Sequence, residues 1–297
     1  MAATTPLMQA DPGLNHRVRI MGILNLTPDS FSDGGHLSSE KELLARAEKM
    51  LAAGVDIFDI GGESTRPMAS AVSAEEELRR VIPAIKALGR LESDIPISID
   101  TTKAVVAAEA IAAGASIIND ISALEADPEM PKVAAAGDWP VIIMHRQGTP
   151  RDMQLAPRYD DVVAEISAYL AGRITDLQAQ GIARRRLIVD PGIGFGKTLA
   201  HNLEILRHLA DFKALGQPLL LGHSRKSWLT GLLGEMEPAA RDLPSAVVSA
   251  LAVGAGVDII RTHNVEATRQ AIQLAQTLAG GETRQPARSP VDEQHEP

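Results

Sequence analysis

The chain has 297 residues, 45% of them hydrophobic and 23% charged, with a formal net charge of −9, which is the profile of a globular protein of one large or two ordinary domains. It contains no cysteine, so disulfides and thiolate metal sites are excluded. The acidic balance argues against broad binding of nucleic acid or anionic membranes, and no apolar run approaches the roughly 20 residues that cross a bilayer.

Residues 1–16 lack a basic start followed by an apolar stretch, so no export signal is read there. They are expected to form a disordered tail, and the protein to be cytoplasmic. The first apolar run, VRIMGIL, begins at Val18 and leads to Asn25 and the loop LTPDSFSDGG. A helical pattern (EKELLARAEKMLAAG) follows, and the second run (VDIFDI, from Val55) reaches Asp59 and GGESTRP. After the helical EEELRRVIPAIKAL, the third run (IPISI, from Ile95) ends at Asp100. The helical AVVAAEAIAAG precedes the fourth run (ASII, from Ala115), which ends at Asn119 and Asp120. The fifth (VIIM, from Val141) gives His145 and RQGTP, and the sixth (LIV, from Leu187) gives Asp190 and PGIGFGKT. The seventh (LLL, from Leu219) is followed by GHSRKS, with Arg225, Lys226 and Ser227. The eighth (VDII, from Val257) is followed by Arg261, Thr262 and His263, and residues 281–297 read as a second disordered tail. Gly54, Gly114 and Gly181 stand where helix C-caps would return the chain to a strand.

Eight short β-rich runs alternating with helical patterns predict parallel βαβ units. The span 17–280 matches the roughly 250 residues of a closed (β/α)8 TIM barrel, with no second domain. An open doubly wound sheet would place a glycine-rich nucleotide turn after the first strand, and none is there. In such barrels the active site lies at the C-terminal strand ends, and here every strand end carries polar side chains. Singly, an Asp, Asn or Ser at such a junction reads equally well as a helix N-cap. Lys226, Arg261 and His263 do not, because cations are poorly placed at a helix N-terminus. Carboxylates and an amide from strands 3, 4 and 6 beside cations from strands 7 and 8 predict a heterocycle rich in N–H groups that carries phosphate.

Several partial motifs fail. GIGFGKT resembles the end of a phosphate-binding Walker loop, but Pro191 occupies the position of its first glycine. The eight histidines lack H-x-x-x-H spacing, so no zinc site is expected; His16, His36, His201, His208 and His295 read as surface residues. Met144 and Phe195 read first as core, although the glycines around Phe195 favour an exposed loop.

GILNLTPDSFSDGG, DIGGESTRP, SIDT, NDIS, MHRQGTP, DPGIGFGKT, GHSRKS and RTH resemble, in order, the signatures of the dihydropteroate synthases, covering Val18 to Gly280. The resemblance implies an enzyme of folate biosynthesis, a sulfonamide target, that joins a pterin pyrophosphate to 4-aminobenzoate and releases pyrophosphate. It implies Asn25 as a ligand of Mg2+ and pyrophosphate, and Asp100, Asn119, Asp190 and Lys226 as the pterin clamp. Thr65 matches another substrate contact; Met144, Phe195 and Gly222 match the lining of the pterin slot. Arg261 and His263 match the pyrophosphate pair, while Phe31, Arg66, Pro67 and Ser227 lie in segments that close over 4-aminobenzoate. A homodimer is implied, with SAVVSALAVGAG (Ser245 to Gly256) suited either to a helix–helix interface or to a buried barrel helix. Two departures stand out: the last signature is commonly R-V-H-D but here reads Arg261-Thr262-His263-Asn264, and Met68 stands where many members carry glycine. A corrinoid-type pterin methyltransferase would not need the Arg261–His263 pair, and a silent paralogue would not need to retain Asn25, Lys226, Arg261 and His263.

Overall fold

The computed structural model describes residues 17–26, 36–65, 69, 71–149 and 151–280. Each apolar run leads into one strand: β1 (Arg19–Asn25), β2 (Ile57–Gly61), β3 (Ile97–Asp100), β4 (Ile117–Asp120), β5 (Val141–Met144), β6 (Leu187–Asp190), β7 (Leu220–Gly222) and β8 (Ile259–Thr262). All pair in parallel in the order β6-β5-β4-β3-β2-β1-β8-β7, and a parallel bridge between Val189 and Leu219 joins β6 to β7, so the sheet closes on itself. This is the expected (β/α)8 barrel. The connecting helices are α1 (His36–Ala52), α2 (Ala74–Leu88), α3 (Ala104–Ala113), α4 (Met130–Ala135), α5 (Val162–Ala179), α6 (Leu199–Arg207), α7 (Trp228–Leu233), α8 (Asp242–Gly254) and α9 (Val265–Leu278). Gly114 caps α3 with a positive φ of 121°, a conformation that disfavours any residue with a Cβ.

Strand side chains alternate between the helices and the barrel interior. Ile20, Phe58, Ile60, Ile99, Ile118, Ile143, Val189, Leu221 and Ile260 face outward into the main core under the helices. Inside, Met21, Ile57, Ile117, Ile142, Ile188, Leu220 and Ile259 form a separate buried cluster that plugs the barrel. Two residues further along the same strands stand Ile23, Asp59, Asn119, Met144, Asp190, Gly222 and Arg261. The chemistry of the interior therefore changes from hydrocarbon to polar within one pleat repeat, about 7 Å along the strand.

Candidate active site

The polar layer is built around one guanidinium. Arg261 Nε donates to Asp59 Oδ2 and Nη2 donates to Asp100 Oδ2, both at 2.6 Å. Asp59 is fully buried and also accepts from Asn119 Nδ2 at 3.3 Å. Burial pushes the Asp100 carboxyl up to about 7, against the pull of Arg261 and with the help of the Asp59 charge. Burial alone would lower the Arg261 pKa, but the carboxylates of Asp59 and Asp100 outweigh it and hold the cation firmly charged. Asn25 ends β1 opposite Gly61, and a methyl group on Gly61 would lie 3.8 Å from Asn25 Oδ1 and 3.7 Å from Asp100 Oδ2. The amide and the carboxylate thus flank one glycine.

Beyond Gly222 the layer continues to Asp190 and Lys226. A Cβ on Gly222 would stand 3.3 Å from Asp190 Oδ2 and 3.8 Å from Arg261 Cδ, so the bare backbone here lets acid and cation approach. Asp190 Oδ1 accepts from Gly192 N at 2.7 Å, and burial raises its pKa against the nearby charge of Lys226. Lys226 Nζ donates to Ile193 O at 2.5 Å and lies 4.3 Å from the centroid of the Phe195 ring. Burial lowers the Lys226 ammonium to about 7, although Asp190 opposes this. Met144 and Phe195 pack with Ile121 and Met153 in a small cluster separate from the main core. The core reading of both residues holds, whereas the exposed loop expected from the glycines around Phe195 is not found: Phe195 is buried, and so are Gly192 and Gly196 beside it.

The loop that carries Phe195 is bound tightly to its neighbour. Gly192 and Gly196 have positive φ (72° and 65°), and a Cβ would come within 2.0 Å of His145 O and 2.3 Å of Gln147 O. Buried Lys197 fastens the contact: Nζ lies 3.0 Å from Phe195 O, 3.3 Å from His145 O and 3.1 Å from His145 Nδ1. Burial lowers Lys197 to about 7 and His145 to about 3, which leaves the imidazole neutral and its Nδ1 free to accept.

On the other side of Asp100, Thr65 and Asp100 share the wall of a 670 Å3 cavity with Ile121 and Arg146. The segment bearing Thr65 is tied down by Glu63, which accepts from Val72 N at 3.1 Å and pairs with Lys103. Lys103 also donates to fully buried Glu77 at 2.5 Å.

The strand β8 ends at Thr262, so the alternation that would put His263 on the same face as Arg261 stops one residue short. His263 turns instead to the loop after β7, with Nδ1 3.1 Å from Ser224 Oγ. Both departures from the common last signature acquire a reason here. The Thr262 hydroxyl meets Thr268 Oγ1 at 3.0 Å and Ser224 Oγ at 3.4 Å, contacts a valine could not make. Asn264 caps α9 by accepting from Ala267 N and donates through Nδ2 to Asp242 Oδ2 at 3.0 Å. An aspartate at this position would face Asp242 with a second carboxylate. Asp242 in turn holds Arg225, whose φ is +57°, through two bonds of 2.6 and 2.8 Å. Ser227 is exposed at the start of α7.

Asn25, Thr65, Asp100, Asn119, Met144, Asp190, Phe195, Gly222, Lys226, Ser227, Arg261 and His263 thus all stand at the C-terminal rim. Phe31, Arg66, Pro67 and Met68 lie outside the described residues. Asp120 is no part of the layer: it accepts from Ser122 N and Oγ and shapes the turn after β4. Of the histidines expected at the surface, His208 is exposed, while His201 is half-buried in a capping box with Thr198; His16 and His295, and the side chain of His36, lie outside the described residues. Sequence reasoning placed Asp59 at a strand end without a role, and gave none to Lys103, Lys197 or Ser224. The signal for Asp59 was present, two residues beyond Ile57 on an inward face.

Residues 21–263 match the family described as pterin binding enzyme. A dihydropteroate synthase of Synechocystis sp. is 45% identical over 262 residues, which is 88% of this chain and 90% of the relative. The crystal structure of the Yersinia pestis dihydropteroate synthase with a sulfonamide drug superposes with a TM-score of 0.83 at 43% identity, covering 90% of this chain and 95% of that one. The Xanthomonas albilineans dihydropteroate synthase with 4-aminobenzoic acid gives 0.82 at 45% identity, covering 88% and 93%. With the strand-end polar layer, the barrel and these likenesses in agreement, this chain belongs to the dihydropteroate synthase family of pterin-binding enzymes.

Proposed function

We propose that this rim condenses 6-hydroxymethyl-7,8-dihydropterin pyrophosphate with 4-aminobenzoate to give 7,8-dihydropteroate and pyrophosphate. The observation that carries the proposal is the joined layer in which Asp100, Asn119 and Asp190 face the barrel axis beside Arg261 and Lys226. Acceptors of this kind suit a ring with several N–H groups, and each charge-assisted bond contributes roughly 1.5 to 3 kcal/mol. The ring sits between these acceptors, with Phe195 and Met144 supplying an apolar wall. The bond between the exocyclic methylene and the pyrophosphate oxygen breaks, and its electron pair leaves with the pyrophosphate. The amine nitrogen of 4-aminobenzoate bonds to the methylene and then loses a proton to water or product. An arylamine is an uncharged nucleophile, so the chain needs to supply no strong base. Positive charge left on the methylene is spread into the pterin ring, which favours a loose path. The contributions of the chain are orientation and stabilisation of the leaving anion by Arg261, His263 and Lys226.

Magnesium belongs to the same proposal. Among the described residues no cluster of three or more acidic or histidine side chains could hold a metal, but Mg2+ commonly keeps several waters and is held largely by substrate phosphates. The side-chain oxygen of Asn25, half-buried at the end of β1, fits that mode as one neutral ligand. Bound there, the ion would supply neutralisation of charge developing on the leaving group. Contact with 4-aminobenzoate is assigned to Ser227, with Phe31, Arg66 and Pro67 as further contacts implied by the family resemblance, and sulfonamides are expected to compete there.

Self-association is also proposed. On α8, Ser245, Ala246, Ser249 and Ala252 are buried, whereas Leu243, Val247 and Leu251 are 73%, 51% and 72% exposed at four-residue spacing. Such an apolar stripe suits a second copy of the chain; light scattering should show a dimer, and Leu251→Glu a monomer. No helix of the described residues is long and apolar enough to cross a membrane. A cytoplasmic location is part of the proposal, since a chain without cysteine calls for no oxidising compartment. The deciding experiment is pyrophosphate release by the purified protein. Release should require pterin pyrophosphate, 4-aminobenzoate and magnesium together, and its absence under all conditions would leave a pterin-binding protein without synthase activity.

A further inference from the structure

On the reading that Phe195 and Met144 wall the pterin slot, we propose that Lys197 is the positioning residue that sets this wall, holding the Phe195 ring in its place against Lys226. Lys197 is 3% exposed, so it acts through the groups it binds. Its Nζ donates to Phe195 O at 3.0 Å and to His145 O at 3.3 Å, and lies 3.1 Å from His145 Nδ1. His145 directly follows Met144. One ammonium therefore joins the backbone beside both wall residues, across the gap between the loop after β5 and the loop after β6.

The loop needs such a fastening because residues 191–198 form neither helix nor strand. Successive carbonyls in it are taken instead by side chains: Ile193 O by Lys226 at 2.5 Å, Gly194 O by Gln154, Phe195 O by Lys197 and Gly196 O by the Tyr159 hydroxyl at 2.9 Å. Gln154 is exposed, so water can replace its bond, and Lys226 belongs to the layer that faces the ligand. Lys197 is different. Without it, the carbonyls of Phe195 and His145 would face one buried point with no donor between them, an arrangement that drives the two loops apart. The glycines at 192 and 196 let the backbones approach but add no stiffness of their own. Phe195 would still pack on Ile121, Met144 and Met153, but its ring would lose the single placement that leaves it 4.3 Å from Lys226 Nζ. The pterin would then have to order the wall as it binds, which lowers affinity.

Calorimetric binding of 6-hydroxymethylpterin to the full chain tests this, at a temperature well below the melting point of every variant. Lys197→Met, which removes the donor and keeps the bulk, should weaken binding about tenfold, the scale of one or two lost contacts. Phe195→Ala should also weaken it. Adding Lys197→Met to Phe195→Ala should then cost no more than about twofold further, because the ring through which Lys197 acts is gone. The KM for 4-aminobenzoate at saturating pterin pyrophosphate should stay unchanged in Lys197→Met. Lys197→Gln keeps an N–H donor of shorter reach; it should show the same pattern to a smaller extent and serves if the methionine variant does not fold. Native affinity in Lys197→Met, or full additivity of the two substitutions, overturns the proposal. Failure of the underlying reading looks different: Phe195→Ala would then bind the pterin as the native chain does, and the wall itself would be lost.

Discussion

Two layers inside the barrel are made by the same strands and differ only by a step of two residues. The lower layer, from Met21 to Ile259, is buried hydrocarbon and makes no polar demand on its surroundings. The upper layer places three acidic side chains, an amide and two cations around a glycine gap. The lower one stabilises the closed sheet. The upper one holds partly paired charges out of water and is arranged for a ligand, which is the arrangement a stabilising core avoids. Stability and chemistry are thus separated along the strand axis, and substitutions in the two layers should fail in different ways.

The largest effect is expected at Arg261. Arg261→Ala should lower the turnover number by about a hundred- to a thousandfold, the usual loss of a group facing a developing anion. It should also destabilise the fold by about 3 to 5 kcal/mol, because Asp59 and Asp100 lose their shared partner. Adding Asp59→Asn should recover much of the melting temperature and none of the turnover. Recovery of both would make Arg261 a structural ion-pair residue.

A break in the lower layer should do the opposite. Ile57→Ala removes fully buried methyl groups from the plug and should cost about 2 to 5 kcal/mol in denaturant unfolding. Turnover per folded molecule should be unchanged. A comparable loss of rate would mean that the two layers are mechanically coupled.

Asp190→Ala sharpens the comparison from the ligand side. On the proposed function it removes one ring acceptor, so pterin affinity measured by calorimetry should fall by about 1.5 to 3 kcal/mol. Near-normal affinity would remove Asp190 from the pterin contacts and leave it as the acceptor for Gly192 N.

The smallest effect, and the most diagnostic, is the pH dependence of stability without ligand. Asp100 is raised from 3.8 to about 7, so the folded state binds more protons than the unfolded one across that window, and stability falls as pH rises through it. Lys226 and Lys197 are lowered from 10.5 to about 7, so above 7 the folded state binds fewer protons and stability rises again. The combined contribution of these three groups should therefore pass through a minimum near neutrality, read as the difference between each variant and the native chain, because buried His145, lowered to about 3, works against the acid arm. Asp100→Asn should flatten the acid arm and Lys226→Met should reduce the alkaline arm, while Ile57→Ala should shift the whole curve down without changing its shape.

Much of this was legible in sequence because β alternation is a local property. The eight strands begin within two residues of the eight apolar runs, and the polar residue ending each run is where the barrel rule puts chemistry. Lys197 was not legible: the glycines around Phe195 favour an exposed loop, yet three acceptors from two other positions enclose it. Glu77 lies in an acidic first turn of α2, the ordinary place for a solvated carboxylate, and is buried there against Lys103. The stretch from Ser245 to Gly256 could not be assigned because its spacing suits two faces, and α8 uses one for packing and leaves the other exposed.

The order of strands and helices, the inward or outward sense of each strand residue and the polar residue that ends each strand were determined by the sequence itself, since each depends on near neighbours in the chain. The partnerships within the rim were decided only by the tertiary structure. Arg261 meets Asp59 across 202 positions and Asp100 across 161, because closure sets β8 beside β1 and lets a long side chain cross the mouth of the barrel. Periodicity states which way a side chain points, but which opposite charge it meets depends on how the ring closes.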